Sequence, residues 1–162
     1  MPKGIEALSA IRKQIPEDKS ITLVGGAFDL LHPGHLHVID HAKGLGDVLV
    51  VSVLPDHHVK SYKGEKRPIL PEDHRLTMVK ALKSVDHAFI SDASSYSREN
   101  LETLKPNNLI FGMEDNEARI KKVEKQKAII KSEFPNITSH DLARYQDDPI
   151  STSALVEKIK KL

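Results

Sequence analysis

Short apolar runs alternate along the chain with stretches in which apolar residues recur at helical spacing. Residues 21–24 and 48–53 are apolar and rich in β-branched side chains, so they predict buried strands. Further strands are predicted at 85–90, 109–111 and 137–140. Because helices are predicted between the strands, we expect an α/β fold in which a parallel sheet of about five strands lies between two helical layers, with right-handed crossovers.

Helices are predicted where such spacing follows a proline or a capping residue. The predicted helices begin at or near Pro33, Pro71, Ser97, Asn116 and Ser151. In the last of them, four apolar residues are expected to be buried: Leu155, Val156, Ile159 and Leu162. The segment 56–68 is polar and has little periodicity, so it is predicted to be a mobile loop.

Residues 4–15 also carry apolar side chains at helical spacing, ahead of the first predicted strand. We expect a helix that packs on the flank of the domain, with a dimer contact or a lid as alternatives. The chain is therefore divided into an N-terminal helical extension, residues 1–19, and one domain, residues 20–162.

Composition narrows the choice of partner. The 24 basic and 23 acidic residues leave a net charge of +1, which argues against a protein that coats nucleic acid. Only 4% of the residues are aromatic and none is tryptophan, so there is little material for stacking bases. A small-molecule partner is expected. The chain has no cysteine and no long apolar segment, which favours a cytoplasmic protein with no membrane partner.

The stretch Gly25–His35 contains the residues most strongly expected to bind a ligand. It joins a predicted strand to a predicted helix, and Gly25 and Gly26 allow the backbone to approach a ligand closely. His32 and His35 flank the start of the helix, where free N–H groups favour an anion such as phosphate. A metal site and a pair of capping histidines are the alternatives for this spacing. The whole pattern, from Gly26 to His35, favours phosphate.

The segment Gly26-Ala27-Phe28-Asp29-Leu30-Leu31-His32-Pro33-Gly34-His35 resembles the signature of the cytidylyltransferase-like nucleotidyltransferases. That family includes glycerol-3-phosphate cytidylyltransferase, heptose-1-phosphate adenylyltransferase and archaeal FAD synthase. The resemblance continues through residues 45–51, 60–75, 84–86 and 150–153, and so spans roughly residues 20 to 162. It implies a Rossmann-like sheet of the nucleotidyltransferase type.

The resemblance also implies roles for particular residues. The catalytic residues would be His32, His35 and Lys60. The nucleotide would be bound by Gly26, Ala27, Phe28, Asp29, Gly34, Lys63, Gly112, Met113, Arg144, Ser151, Thr152 and Ser153, with Glu114 or Asp115 as further candidates. The acceptor would be bound by Asp56 and Arg75, although a surface ion pair is the alternative for Arg75. Mg²⁺ would be bridged by phosphates, with no metal ligand from the protein.

The reaction implied is transfer of a nucleotidyl group from CTP or ATP to a phosphorylated small molecule, with release of pyrophosphate. A sugar or polyol phosphate is the expected acceptor. The alternatives are adenylyl transfer to FMN, as in FAD synthase, and a module of the same fold that senses nucleotide without turnover. A homodimer is expected.

Overall fold

The apolar runs form the strands of one parallel sheet. The computed structural model describes residues 2–92, 94–112, 116–145 and 150–162. In these ranges the strands are β1 (Ile21–Gly26), β2 (Val48–Val53), β3 (His87–Ile90), β4 (Asn108–Gly112) and β5 (Thr138–Leu142). Their order in the sheet is β3-β2-β1-β4-β5, and each neighbouring pair is parallel. The predicted α/β class and five-stranded parallel sheet are confirmed.

Helices cover both faces of the sheet. They are α1 (Gly4–Gln14), α2 (Pro33–Lys43), α3 (Asp56–Lys63), α4 (Glu72–Lys80), α5 (Arg98–Leu104), α6 (Glu117–Glu133) and α7 (Thr152–Lys160). Ile39 of α2 and Val79 of α4 pack in one core cluster, and Leu8 of α1, Leu101 of α5 and Ile130 of α6 pack in the other. Successive strand residues alternate between the two clusters, as the pleat requires.

The strand order places a crevice at the carboxyl ends of the central strands. From β1 the chain proceeds outward through β2 and β3, then returns to the other side of β1 to form β4 and β5. Helices therefore leave the carboxyl ends of β1 and β4 on opposite faces. Such a reversal opens a crevice beyond these strand ends, which is where open α/β sheets bind ligands.

The prediction of a mobile loop at 56–68 is wrong for its first half. Residues Asp56–Lys63 form α3, which begins after Pro55 and is anchored by the fully buried Val59. Its acidic residue lies in the first turn and Lys60 and Lys63 lie in the last, the charge distribution that a helix dipole favours. Because α3 contains one buried apolar residue, the sequence shows almost no apolar period there.

The predicted burial of α7 is also wrong at its end. Thr152 is buried and Leu155 and Val156 are half-buried, but Ile159 is 62% exposed and Leu162 fully exposed. The helix packs on the domain through its first turns, so its later apolar residues extend beyond the core.

Helix α1 packs as expected on the flank of the sheet. Leu8, Ile11 and Ile15 are buried beside Phe89 of β3 and Leu101 of α5. Residues 4–15 therefore contribute to a core shared with the main domain. Within the described ranges, the structure contains no helix with the length and apolar character needed to cross a membrane.

Candidate functional site

Asp29 joins three segments at the carboxyl end of β1. Its side chain is 1% exposed and accepts hydrogen bonds from the backbone N–H groups of Ile69 (2.8 Å) and Leu70 (3.0 Å). The Nη2 atom of Arg67 lies 3.0 Å from the same carboxylate. The backbone carbonyl of Asp29 accepts a 2.6 Å hydrogen bond from the Thr152 hydroxyl of α7. The loop after β1, the segment before α4 and the start of α7 are thus held against one another.

The residues on either side of Asp29 have left-handed backbone conformations. Phe28 has a φ of 50° and Leu30 a φ of 49°. Non-glycine residues in this region cost about 1–3 kcal/mol each and cluster at functional sites. The contacts of Asp29 and the burial of Phe28, which is 4% exposed, hold this conformation in place.

His32 caps α2 with its side chain. Its Nδ1 atom accepts a 3.1 Å hydrogen bond from the backbone N–H of Gly34. An accepting Nδ1 requires the neutral ring to carry its proton on Nε2, which can then donate to a ligand. A Cβ at Gly34 would lie 2.9 Å from His32 Cε1 and 3.5 Å from the Ile150 carbonyl. Glycine is therefore needed where α2 begins against the ring of His32.

The second histidine stacks on the first. The rings of His32 and His35 lie 3.9 Å apart between centroids, and Phe28 contacts His35 at 5.6 Å. Burial, followed by the charges of His32 and Lys63, lowers the pKa of His35 to about 3. Burial, followed by the charge of Lys63, also lowers the pKa of His32. At neutral pH the pair offers neutral hydrogen-bonding groups.

A second helix N-terminus lies beside the first. The Ser151 hydroxyl accepts a 3.1 Å hydrogen bond from the N–H of Ala154, and Thr152 is the first residue of α7. Thr152 binds the Asp29 carbonyl, and Ile150 approaches Gly34. The first turns of α2 and α7 therefore converge, and their free N–H groups make the region favourable for phosphate.

These elements border a cleft of about 420 Å³ above the carboxyl ends of β1 and β4. Its lining includes eight of the expected site residues: Gly26, Ala27, Phe28, Asp29, His35, Lys63, Gly112 and Thr152. His32 and Gly34 lie beside it at the start of α2.

Other expected residues are placed differently. Lys60 is exposed on α3 and does not line the cleft, whereas Lys63 does. Ser151, Ser153 and Arg144 are exposed and lie outside the lining. Three residues that the resemblance also suggests for the nucleotide, Met113, Glu114 and Asp115, lie outside the described ranges.

Arg75 is neither on the surface nor open to an acceptor. It is fully buried, and its guanidinium donates hydrogen bonds to the carbonyls of Leu70 (3.0 Å), Leu54 (2.8 Å) and Ala27. The carboxylate of Asp56 lies 2.7 Å from Arg75 Nη2. A buried cation is stable only with such a set of acceptors. Arg75 therefore positions the loops after β1 and β2 from beneath, and Asp56 is its ion-pair partner.

The cleft also contains residues that the sequence did not reveal. They come from the loop after β3, from α3 and from α6: Ser94, Ser95, Tyr96, His58, Tyr62, Arg119, Lys122 and Gln126. In the sequence, α6 is an amphipathic helix whose charged residues are typical of a solvated face. The polar residues at 119, 122 and 126 recur at helical spacing and so share one face of α6. Such a polar stripe is also typical of any exposed helix surface, so it did not indicate a site.

Two tyrosines shape the cleft. The Tyr96 hydroxyl accepts a 3.1 Å hydrogen bond from the N–H of Gly25 and donates one to the Ile110 carbonyl, so it ties the ends of β1 and β4 together. At the mouth, the guanidinium of Arg119 lies 5.3 Å from the ring centroid of Tyr62. This cation–π contact brings α3 and α6 together across the opening.

A parallel α/β sheet with two helix N-termini and paired histidines at its switch point places the protein in the Rossmann-like class of folds. The Cytidylyltransferase-like family model matches residues 23–158, and the chain belongs to this family.

Two relatives illustrate the similarity. The Bifunctional protein HldE of Helicobacter pylori (strain P12) is 34% identical over 145 residues, which are 90% of this chain and 29% of that protein. The FAD synthase of Methanosphaerula palustris is 46% identical over 91 residues, 56% of this chain and 57% of that protein. The match thus spans less than two thirds of either relative.

Solved structures agree on the architecture. The lipopolysaccharide core biosynthesis protein from Thermoplasma volcanium GSS1 superimposes with a TM-score of 0.58 at 27% identity, over 79% of this chain and 99% of that one. A pantoate-β-alanine ligase from Francisella tularensis gives a TM-score of 0.67 over 99% of this chain and 77% of that one. Its identity is 18%, so it shows the fold alone.

Replacing Asp29 by alanine is expected to lower the free energy of unfolding by about 3–5 kcal/mol, because it leaves the Arg67 guanidinium and two N–H groups unpaired. Urea unfolding measures this loss. Asp18→Ala, at an exposed position, is the control and is expected to change stability by less than about 0.5 kcal/mol. An Asp29→Ala loss no larger than the control's would contradict the role of Asp29.

The low pKa of His35 predicts a pH dependence of stability. Between pH 6.5 and about 3 the unfolded chain binds a proton at His35 that the folded chain does not. The folded state therefore loses stability as the pH falls through this window, by at most about 1.4 kcal/mol per pH unit.

His35→Asn removes this contribution, so the variant is expected to lose less stability than the wild type between pH 6.5 and 4.5. Urea unfolding at several pH values measures the difference between the two slopes. Equal slopes in the two proteins would show that His35 titrates alike in the folded and unfolded chains.

Proposed function

We propose that the protein is a nucleotidyltransferase that transfers NMP from ATP or CTP to the phosphate of a small acceptor, a sugar or polyol phosphate, and releases pyrophosphate. The observation that supports this most is the convergence of the α2 and α7 N-termini with His32 and His35 at one end of the cleft. Backbone N–H groups, a ring N–H and Lys63 there suit a polyphosphate.

In the proposed reaction an acceptor phosphate oxygen attacks the α-phosphorus of the nucleotide. A P–O bond forms to the acceptor as the bond to the bridging α,β-oxygen breaks, and pyrophosphate leaves with that electron pair. Catalysis then depends on positioning and on stabilising charge. His32 donates from Nε2, Lys63 supplies positive charge, and the first turns of α2 and α7 bind the leaving group.

This chemistry needs no strong general base from the protein. The second pKa of a phosphate monoester lies near 6, so the acceptor is already ionised at neutral pH. The neutral state of the two histidines is consistent with this reaction, because the rings can donate hydrogen bonds without taking a proton from the acceptor.

Mg²⁺ is proposed to enter as part of the nucleotide substrate. Among the residues that the structure describes, no three His, Cys, Asp or Glu side chains are grouped as metal ligands. The carboxylate of Asp29 is occupied by Arg67 and two N–H groups. Phosphate oxygens are therefore the proposed ligands, in keeping with the usual binding of Mg²⁺ through substrate phosphates.

Adenylyl transfer to FMN is the second candidate. The 46% identity to an FAD synthase favours it, and FMN is also a phosphate monoester, so the same attack applies. The two candidates differ in the body of the acceptor and not in the chemistry at phosphorus.

Pyrophosphate release with ATP, CTP, GTP or UTP and Mg²⁺ tests the proposal. The acceptor panel contains glycerol 3-phosphate, several sugar 1-phosphates, phosphocholine and FMN. Release is expected with ATP or CTP and one sugar or polyol phosphate. Release with FMN and ATP would establish the second candidate. Nucleotide binding by calorimetry without release from any pair would contradict the transferase and favour a sensing module.

His32→Asn separates capping from catalysis, because asparagine is a good N-cap but cannot place the Nε2 donor. We expect stability within about 0.5 kcal/mol of wild type and a kcat about 10²-fold lower, as for loss of a preorganised donor. His32→Ala is the comparison and is expected to lose about 1 kcal/mol of stability as well. Wild-type turnover in His32→Asn would reduce His32 to a cap.

A further inference from the structure

The cleft has two chemically different walls. The first is the phosphate wall, formed by His32, His35 and Thr152 at the N-termini of α2 and α7. The second, which we name the α6 wall, is formed by Ser94, Ser95, Arg119, Lys122 and Gln126. Helices α2 and α6 pack in different core clusters, on opposite faces of the sheet. The two walls therefore face each other across the crevice.

The geometry of phosphoryl chemistry gives these walls different tasks. In an in-line displacement the attacking and leaving oxygens lie on opposite sides of the phosphorus. If pyrophosphate leaves toward the phosphate wall, the acceptor oxygen must approach from the other side. That side is the α6 wall.

The α6 wall is polar and only partly satisfied by the protein. Ser95 is 5% exposed, and its hydroxyl has no hydrogen-bond partner among the described residues. The amide nitrogen of Gln126 makes long contacts, 3.4 Å to the Tyr96 carbonyl and 3.5 Å to the Ser94 hydroxyl. Bonds of this length are weak and are readily exchanged for a ligand hydroxyl.

The loop that carries the two serines is held in place from behind. The side-chain amide of Asn100, which is 3% exposed, donates to the carbonyls of Ser94 (3.2 Å) and Ser95 (3.1 Å). A Cβ on Gly25 would lie 2.2 Å from the Ser95 hydroxyl oxygen, so glycine at this position leaves room for Ser95 above the end of β1.

Positive charge completes the wall. Arg119 and Lys122 are three residues apart on α6, so they lie on the same face, and both border the cleft. The charge of Lys122 adds to burial in lowering the pKa of His58 on α3, which indicates that its field reaches across the cleft. Arg119 contacts Tyr62 of α3 at the mouth.

The geometry points to the α6 wall as the acceptor subsite, an inference that rests on the proposed function. Arg119 and Lys122 bind the acceptor phosphate, and Ser94, Ser95 and Gln126 bind hydroxyl groups on its carbon chain or ring. The acceptor is therefore a compact phosphorylated polyol or sugar. Asp56 and Arg75 act from beneath the site and not on the acceptor.

Steady-state kinetics of Lys122→Gln tests the assignment, with pyrophosphate release measured while each substrate is varied in turn. Loss of a charge-assisted hydrogen bond is expected to raise the KM for the acceptor about 10-fold or more and to change the KM for the nucleotide less than about twofold. Gln126→Leu is expected to raise the acceptor KM as well. Lys125→Gln, on the same helix but outside the lining, is the matched control and is expected to alter neither constant.

Calorimetry gives a readout that does not depend on turnover. Glycerol 3-phosphate, glucose 1-phosphate and FMN are titrated into protein saturated with a non-hydrolysable ATP or CTP analogue. Binding of a polyol or sugar phosphate that Lys122→Gln weakens and Lys125→Gln preserves supports the subsite, even if no pair releases pyrophosphate. In that case the proposed reaction fails and the subsite stands.

Three results would overturn the subsite while leaving the transferase intact. One is a Lys122→Gln variant whose nucleotide KM rises and whose acceptor KM does not. Another is a variant with both constants unchanged. The third is a wild-type protein that turns over FMN and binds neither glycerol 3-phosphate nor glucose 1-phosphate.

Discussion

The buried carboxylate of Asp29 is the constraint on which the site depends. A carboxylate that is 1% exposed is stable only if charge and N–H groups surround it. Arg67 and the N–H groups of Ile69 and Leu70 do so, and Thr152 binds the carbonyl of the same residue. One residue thus fixes the path of the loop after β1, the segment before α4 and the start of α7. The contacts of Asp29 therefore hold the N-termini of α2 and α7 close to each other.

Burial also determines the protonation state of the two histidines. The stacked rings of His32 and His35 have lowered pKa values because the first turn of α2 is packed against Phe28 and close to Lys63. Neutral rings can lie 3.9 Å apart between centroids without like-charge repulsion. In the proposed site, an anion would be bound by N–H groups, the helix dipoles and lysine, which keep their donors at neutral pH.

The topology separates the two walls of the cleft. Strands are added on one side of β1 up to β3 and then on its other side. For this reason α2 and α6 approach the crevice from opposite faces of the sheet. One wall is made of helix N-termini, and the other of polar side chains on α6 and on the loop after β3. Arg75 and Tyr96 hold the strand ends beneath them. An in-line transfer between two phosphates fits such a divided cleft.

The sequence by itself determined the strands of the sheet, the order of strands and helices along the chain, and the part of the phosphate wall that lies between Gly26 and His35. Buried parallel strands are continuous apolar runs, and the segment from Gly26 to His35 is contiguous, so local pattern is enough to find them. The sequence could not identify α3, because its one buried residue, Val59, leaves no apolar period. The sequence also could not show that Arg75 is fully buried. Only the tertiary structure decided which side chains face the crevice. Lys122 and Lys125 are both exposed lysines of α6, and long-range packing alone places the first of them at the cleft.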